Sequence, residues 1–145
     1  MSSIQSIEVS FFVHMTEDED KIKRAVVSLL GEELPAKRED AEGHFGNRIA
    51  WIRYHATGDE AEAALRSVVS HIDPDERRAI MGDLESVLDE HDALYIRLSK
   101  QVLVEKGDAA RTASDPIRIR VKPRSYLVRG DPRALYAKLL EVGVC

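Results

Sequence analysis

Residues 7–22 read IEVSFFVHMTEDEDKI. Ile7, Val9, Phe11 and Val13 alternate with Glu8, Ser10, Phe12 and His14, the period of two expected of a strand with one apolar face. The pattern then changes. Thr16-Glu17-Asp18-Glu19 has the form of a capping box, with Thr16 at N-cap and Glu19 at N3. Ile22, Ala25, Val26, Leu29 and Leu30 follow at helical spacing, and Gly31 supplies a stop. A strand with one apolar face followed by a helix with one apolar stripe sets the fold class, because each must bury that side against another layer.

The rest of the chain repeats these two units. Segments 36–42 and 49–56 read as strands joined by GHFGN. Thr57-Gly58-Asp59-Glu60 is a second capping box, and Ala61, Ala64, Leu65, Val68, Val69 and Ile72 follow it at helical spacing. Asp73-Pro74 starts a third helix with proline at N1, and Ile80, Met81, Leu84, Val87 and Leu88 form its buried side. Leu94, Ile96 and Leu98 alternate with Tyr95, Arg97 and Ser99. Ile117, Ile119 and Val121 alternate with Arg118, Arg120 and Lys122. Asp131-Pro132 opens a last helix with Leu135, Leu139 and Leu140. The order is β-α-β-β-α-α-β-β-α, which leaves 102–105 unassigned, and GDAARTASD (107–115) reads as a surface loop. Hairpin connections predict a mostly antiparallel sheet with helices on one face: an α+β two-layer sandwich whose other face is open to solvent.

The chain has 145 residues, which fits one domain over 1–145 able to bury roughly 70% of its unfolded surface. The single cysteine, Cys145, excludes an intramolecular disulfide and fits a reducing, cytoplasmic compartment. The N-terminal residues lack the basic and apolar regions of a signal peptide, and no run is long enough to span a bilayer. Net charge is −5, but unevenly placed. Segment 92–145 holds eleven of the 21 Lys/Arg and six of the 26 Asp/Glu, a net of +5, which leaves −10 for 1–91. That asymmetry hints at a polyanionic partner for the basic part.

Nothing in the chain argues for an enzyme. The five histidines (14, 44, 55, 71 and 91) form neither HExxH nor an HxH pair. GxSxG, Walker and GxGxxG motifs are missing, and no cofactor or metal is expected. Strand parity says more. Arg118, Arg120 and Lys122 project away from the core-facing Ile117, Ile119 and Val121, and Arg97 and Tyr95 project away from Leu94 and Ile96. Phe12 points to the same non-core side, and Lys100 falls on the other parity unless the strand ends or bulges there. Cations for phosphates beside rings for bases is the composition of a single-stranded nucleic-acid platform. Alternating charge also serves solubility and guards edges, but the Ile117–Lys122 run carries one sign only. In GHFGN, the glycines and Asn47 suit a hairpin turn, while His44, Phe45 and Asn47 could also read RNA locally.

Four pieces in order, VHMTEDEDKI (13–22), EGHFGNRI (42–49), LYIRLSKQ (94–101) and DPIRIRVK (115–122), resemble the archaeal RNA-binding proteins described as predicted exosome subunits. The resemblance runs from the first strand to Lys122. It implies a fold similar to ribosomal protein L5, RNA binding without catalysis, and a link to archaeal RNA processing, with the exosome or other processing proteins as partners. Arg48 stands where the family often has proline, and Ser99 where it often has aspartate. The expected RNA contacts are Arg97, Lys100, Arg118, Arg120 and Lys122 on phosphates, with His44, Phe45 and Asn47 as local readers. The alternative is an adaptor whose acidic part docks a basic protein, with little RNA contact. A second copy covering the open face would make a homodimer.

Overall fold

The computed structural model describes residues 4–42, 46–112, 114–124 and 132–141. The elements are β1 (Ile4–His14), α1 (Glu19–Leu30), β2 (Ala36–Glu42), β3 (Arg48–Thr57), α2 (Gly58–His71), α3 (Pro74–Gly82), α4 (Leu84–Val87), β4 (Leu94–Leu98), α5 (Lys100–Lys106), β5 (Ile117–Pro123) and α6 (Pro132–Leu139). The five strands form one sheet in the order β2-β3-β1-β5-β4, every neighbouring pair antiparallel. The α+β class and the antiparallel sheet expected from periodicity are therefore present.

β1 lies at the centre and pairs with β3 from Ser6 to His14 and with β5 from Ile4 to Ser10. Its apolar alternates Ile7, Val9, Phe11 and Val13 are buried, as are Ile52 and Tyr54 of β3, Ile117, Ile119 and Val121 of β5, and Leu94, Ile96 and Leu98 of β4. The Phe11 and Tyr54 rings stack across the strand boundary at 6.3 Å. Over this face lie α1, with Ile22, Val26, Leu29 and Leu30 buried, and α2, with Ala61, Ala64, Leu65, Val68 and Val69 buried. The alanines at the α2 contact let that helix approach the sheet closely, and its leucine and valines fill the space between layers. Each fully buried aliphatic side chain contributes on the order of 1.5–3 kcal/mol, so this shared face is where the stability resides.

Four local expectations change. Thr57 stands at the N-cap of α2, but its side chain makes no cap hydrogen bond, so the second capping box does not form. The cap of α1 is Asp18, whose carboxylate accepts the Lys21 N–H, and not Thr16. The chain first makes a turn at the end of β1, with the Glu17 N–H donating to the His14 carbonyl, so the helix starts two residues later. Glu19 then bonds Arg38 of β2 rather than closing a capping box. The third helix is two pieces, α3 and α4, broken at Asp83, which serves as the cap of both. β4 and β5 are not joined by a hairpin: the unassigned stretch 102–105 is part of α5, capped by Ser99 Oγ, which accepts the Val102 N–H. The Asp73 cap with Pro74 at N1 is present as expected. His44, Phe45 and Asp131 lie outside the described residues.

Gly31 is the one glycine on which helix packing turns. It sits at φ +81 as the C-cap of α1, and its N–H donates to the Val27 carbonyl. A Cβ built there would lie 2.9 Å from Ser67 Oγ on α2. Gly31→Ala therefore combines a left-handed backbone with a close contact, and it is expected to lower stability by about 1–2 kcal/mol. Gly82→Ala, where a Cβ would meet open space, is the control and should be neutral or slightly stabilising. Urea unfolding of the two variants checks this; equal losses would contradict it.

Candidate nucleic-acid interface

The alternates that do not enter the core define the other sheet face. Cross-strand register puts them in rows. One row runs Lys37 (β2), Arg53 (β3), Ser10 (β1), Arg118 (β5), Arg97 (β4), crossing all five strands with four cations and one serine. At about 4.8 Å between strands, the row spans roughly 19 Å. Next to it, Glu39, Trp51 and Phe12 form a second row. On the other side lie His55, Glu8, Arg120 and Tyr95, and beyond them Thr57, Ser6 and Lys122. Arg97 and Arg118 face each other directly, as do Lys37 and Arg53. Like charges placed opposite cost each pair about 0.2–1 kcal/mol, a cost that a bound polyanion would reverse.

The cations of this face are not equivalent. Arg97 and Arg118 are exposed, and among the described residues neither lies within ion-pair distance of a carboxylate. Arg97 also lies 5.7 Å from the Tyr95 ring. Arg120 is held inward: its Nη2 is 3.6 Å from Asp89 Oδ2 and its guanidinium 5.8 Å from the Tyr95 ring, while its buried Nε has no partner among the described residues. Burial acts to raise the Asp89 carboxyl, but the N–H groups of Ala93 and His91 and the charge of Arg120 outweigh it and hold it below the usual range. Arg53 rests over Trp51 at 4.3 Å and reaches Glu39 at 3.4 Å. The positive surface is thus a stripe, flanked by Glu8 and Glu39, and not the whole face.

Lys100 stands apart from the stripe. It is 6% exposed and opens α5, because β4 ends at Leu98. Its ammonium donates to the Phe12 carbonyl at 2.8 Å and to Glu17 Oε1 at 3.0 Å, and lies 2.7 Å from Asp115 Oδ2. His14 Nε2 is 2.9 Å from the same Asp115 oxygen. His14, Glu17 and Asp115 could be read as a metal triad, but the lysine already occupies the space between the two carboxylates. The cluster fastens the end of β1, the start of α1, α5 and the approach to β5 to one another. Lys100 is spent on this junction and is not displayed to a ligand.

Asn47 is exposed and precedes β3. It lies beyond the Ala41/Ile49 pair, toward the Phe12 and Trp51 end of the sheet. Sequence reasoning brought Arg97, Arg118, Arg120 and Lys122 to this face. It missed Lys37 and Arg53, which only the β2–β3 register adds; the available signal was that Arg53 shares strand parity with Trp51.

Comparison with known proteins adds a family. The model of a family described as RNA binding matches residues 6–123. An uncharacterised protein of Methanocaldococcus jannaschii is 30% identical over 105 residues, 68% of this chain and 70% of that one. An RNA-binding protein of Pyrococcus abyssi is 28% identical over 135 residues, 87% of this chain and 86% of its own. Among solved structures, a protein from Archaeoglobus fulgidus superposes with a TM-score of 0.80 at 26% identity, covering 94% of this chain and 99% of that one. One from Methanothermobacter thermautotrophicus gives 0.73 at 28%, covering 94% and 98%.

Removing the Lys100 charge leaves two carboxylates facing each other. Lys100→Met is expected to cost about 2 kcal/mol, less than the about 3–5 of a fully buried pair because Glu17 and Asp115 are partly exposed. The Asp115 carboxyl, which burial acts to raise, is held below its ordinary value by Lys100 and His14. The unfolded chain therefore binds the proton more readily there, so this contribution is complete above the ordinary aspartate range and is lost as pH falls through the lowered value. Urea unfolding across the acidic range should show wild type losing this increment while Lys100→Met shows little of it. Parallel pH curves would contradict the assignment.

Proposed function

The chain belongs to the RNA-binding family, and on that premise we propose that it binds RNA through phosphates on its open sheet face, without catalysing a reaction. The observation that carries this reading is the Lys37–Arg53–Ser10–Arg118–Arg97 row. Four cations in line across five strands match a phosphate backbone, and the serine between them keeps the row low at its centre and offers a hydroxyl. Arg120 and Lys122 extend the charge along β5. Arg120, held by Asp89, acts mainly to hold Tyr95 and the strand edge, so the weight falls on Arg53, Arg97, Arg118 and Lys122. His44, Phe45 and Asn47 are proposed as secondary contacts, because Asn47 leads into β3 at the Trp51 end of the face.

Two finer statements follow from the resemblance noted in the sequence. The helices-on-one-side sheet is compatible with a fold like that of ribosomal protein L5. The cellular setting it suggests is cytoplasmic RNA processing in archaea, with the exosome or other processing proteins as partners. A homodimer through the open face would set two like-charged rows against each other, so this reading leaves the face to RNA. Among the described residues no helix is long and apolar enough to cross a membrane.

The test is charge reversal. Engagement of about four phosphates gives a slope of log affinity against log salt near −3 for a single strand. Arg97→Glu combined with Arg118→Glu should weaken binding of a short oligoadenylate by tenfold or more and flatten that slope, with the circular dichroism and melting curve of a folded protein. Unchanged affinity in the folded double variant would remove the row as the site and favour the adaptor reading.

A further inference from the structure

Beside the cationic row stand two aromatic side chains of this face that pair with each other. Phe12 and Trp51 are direct cross-strand partners, with ring centroids 6.0 Å apart and planes 21° from parallel. Phe12 is 36% exposed, whereas Phe11 one residue away is buried. The guanidinium of Arg53 lies 4.3 Å from the centre of the Trp51 ring. Arg53, Trp51 and Phe12 thus make a short stack of flat groups on the sheet surface.

The β1–β5 ladder ends at Ser10↔Arg118, so among the described residues no β5 partner stands opposite Phe12. Arg118 stands opposite Ser10, the residue before Phe12 on the same face of β1. The main chain beneath the ring is fixed, since the Phe12 carbonyl accepts from the buried Lys100 ammonium. A partly exposed ring held at a fixed point, near a cation, suits a flat aromatic ligand whose charged group reaches the cation. Paired bases inside a duplex are already stacked on both faces, whereas an unpaired base has a face free to stack on a side chain.

We propose, resting on the RNA-binding reading above, that the ligand class is single-stranded RNA: an unpaired base stacks on the Phe12–Trp51 pair while its flanking phosphates lie on Arg118 and Arg97. Preference for single strands comes from the stack, and affinity and salt dependence come from the row. Because any base offers a flat face, the contact selects strandedness and not sequence.

Trp51 is the only tryptophan in the chain and reports on this site directly. A short oligoadenylate, an abasic phosphodiester strand of the same length and an A-form RNA hairpin are titrated while its emission is followed. Oligoadenylate should quench Trp51 in step with binding. The abasic strand and the hairpin should bind more weakly and leave the emission near its free value. Phe12→Leu, which keeps an apolar side chain and the backbone contact to Lys100, should weaken oligoadenylate binding about tenfold and leave hairpin binding unchanged. Equal binding of strand and hairpin with Trp51 emission unmoved, while reversal of Arg97 and Arg118 abolishes both, would overturn the stacking proposal and leave RNA binding standing. Failure of every RNA to bind the folded protein would overturn both.

Discussion

The structure depends on the parity of β1. This strand lies at the centre of the sheet, between β3 and β5, and its alternation decides what each layer receives. Ile7, Val9, Phe11 and Val13 meet the helices; Ser6, Glu8, Ser10 and Phe12 meet solvent. A slip of one residue would exchange the sets and place a glutamate and two serines in the core. The hydrophobic face thereby fixes the register with β3 and β5, and the register fixes which cations stand in line. The cationic row is a by-product of core packing: Arg53 and Arg118 flank Ser10 because Ile52, Val9 and Ile119 must be buried.

The junction around Lys100 shows how the same frame is closed at one end. Its ammonium binds the Phe12 carbonyl near the end of β1, a carboxylate at the entry to α1 and another at the entry to β5. A buried cation among partly exposed carboxylates stabilises little in sum, because desolvation offsets attraction. Its structural effect is geometric: it ties together segments 12–17, 100 and 115, and so holds the backbone under Phe12. Core, junction and open face are linked through a few residues of one strand.

Most of this architecture was legible in the chain. The strands, the amphipathic helices, the Asp73-Pro74 start and the outward parity of Arg97, Arg118 and Arg120 follow from periods of two and 3.6. What was not legible involved competition between local rules or pairing between distant segments. Thr16 and Asp18 both suit a cap, and the turn at His14 decided for Asp18. In LSKQVLVEK, Leu98, Lys100, Val102 and Val104 continue a period of two through a seven-residue helix, and burial of Leu103 with a Gly107 cap decided for α5. Lys100 moved with that decision, from a displayed cation to a buried one. The place of Lys37 and Arg53 in the row depends on the register of β2 and β3 with β1, which no single strand encodes.

The central claim is that one row of residues, set by the register of five strands, is where RNA lies. Backbone amide shift mapping during titration of an isotope-labelled sample with oligoadenylate tests it most directly. The account predicts the largest, salt-sensitive changes at Arg53, Ser10, Phe12, Arg118 and Arg97, a line across the sheet through residues far apart in sequence. Changes confined to the helical layer or to the acidic end of β2, with the row undisturbed, would contradict it.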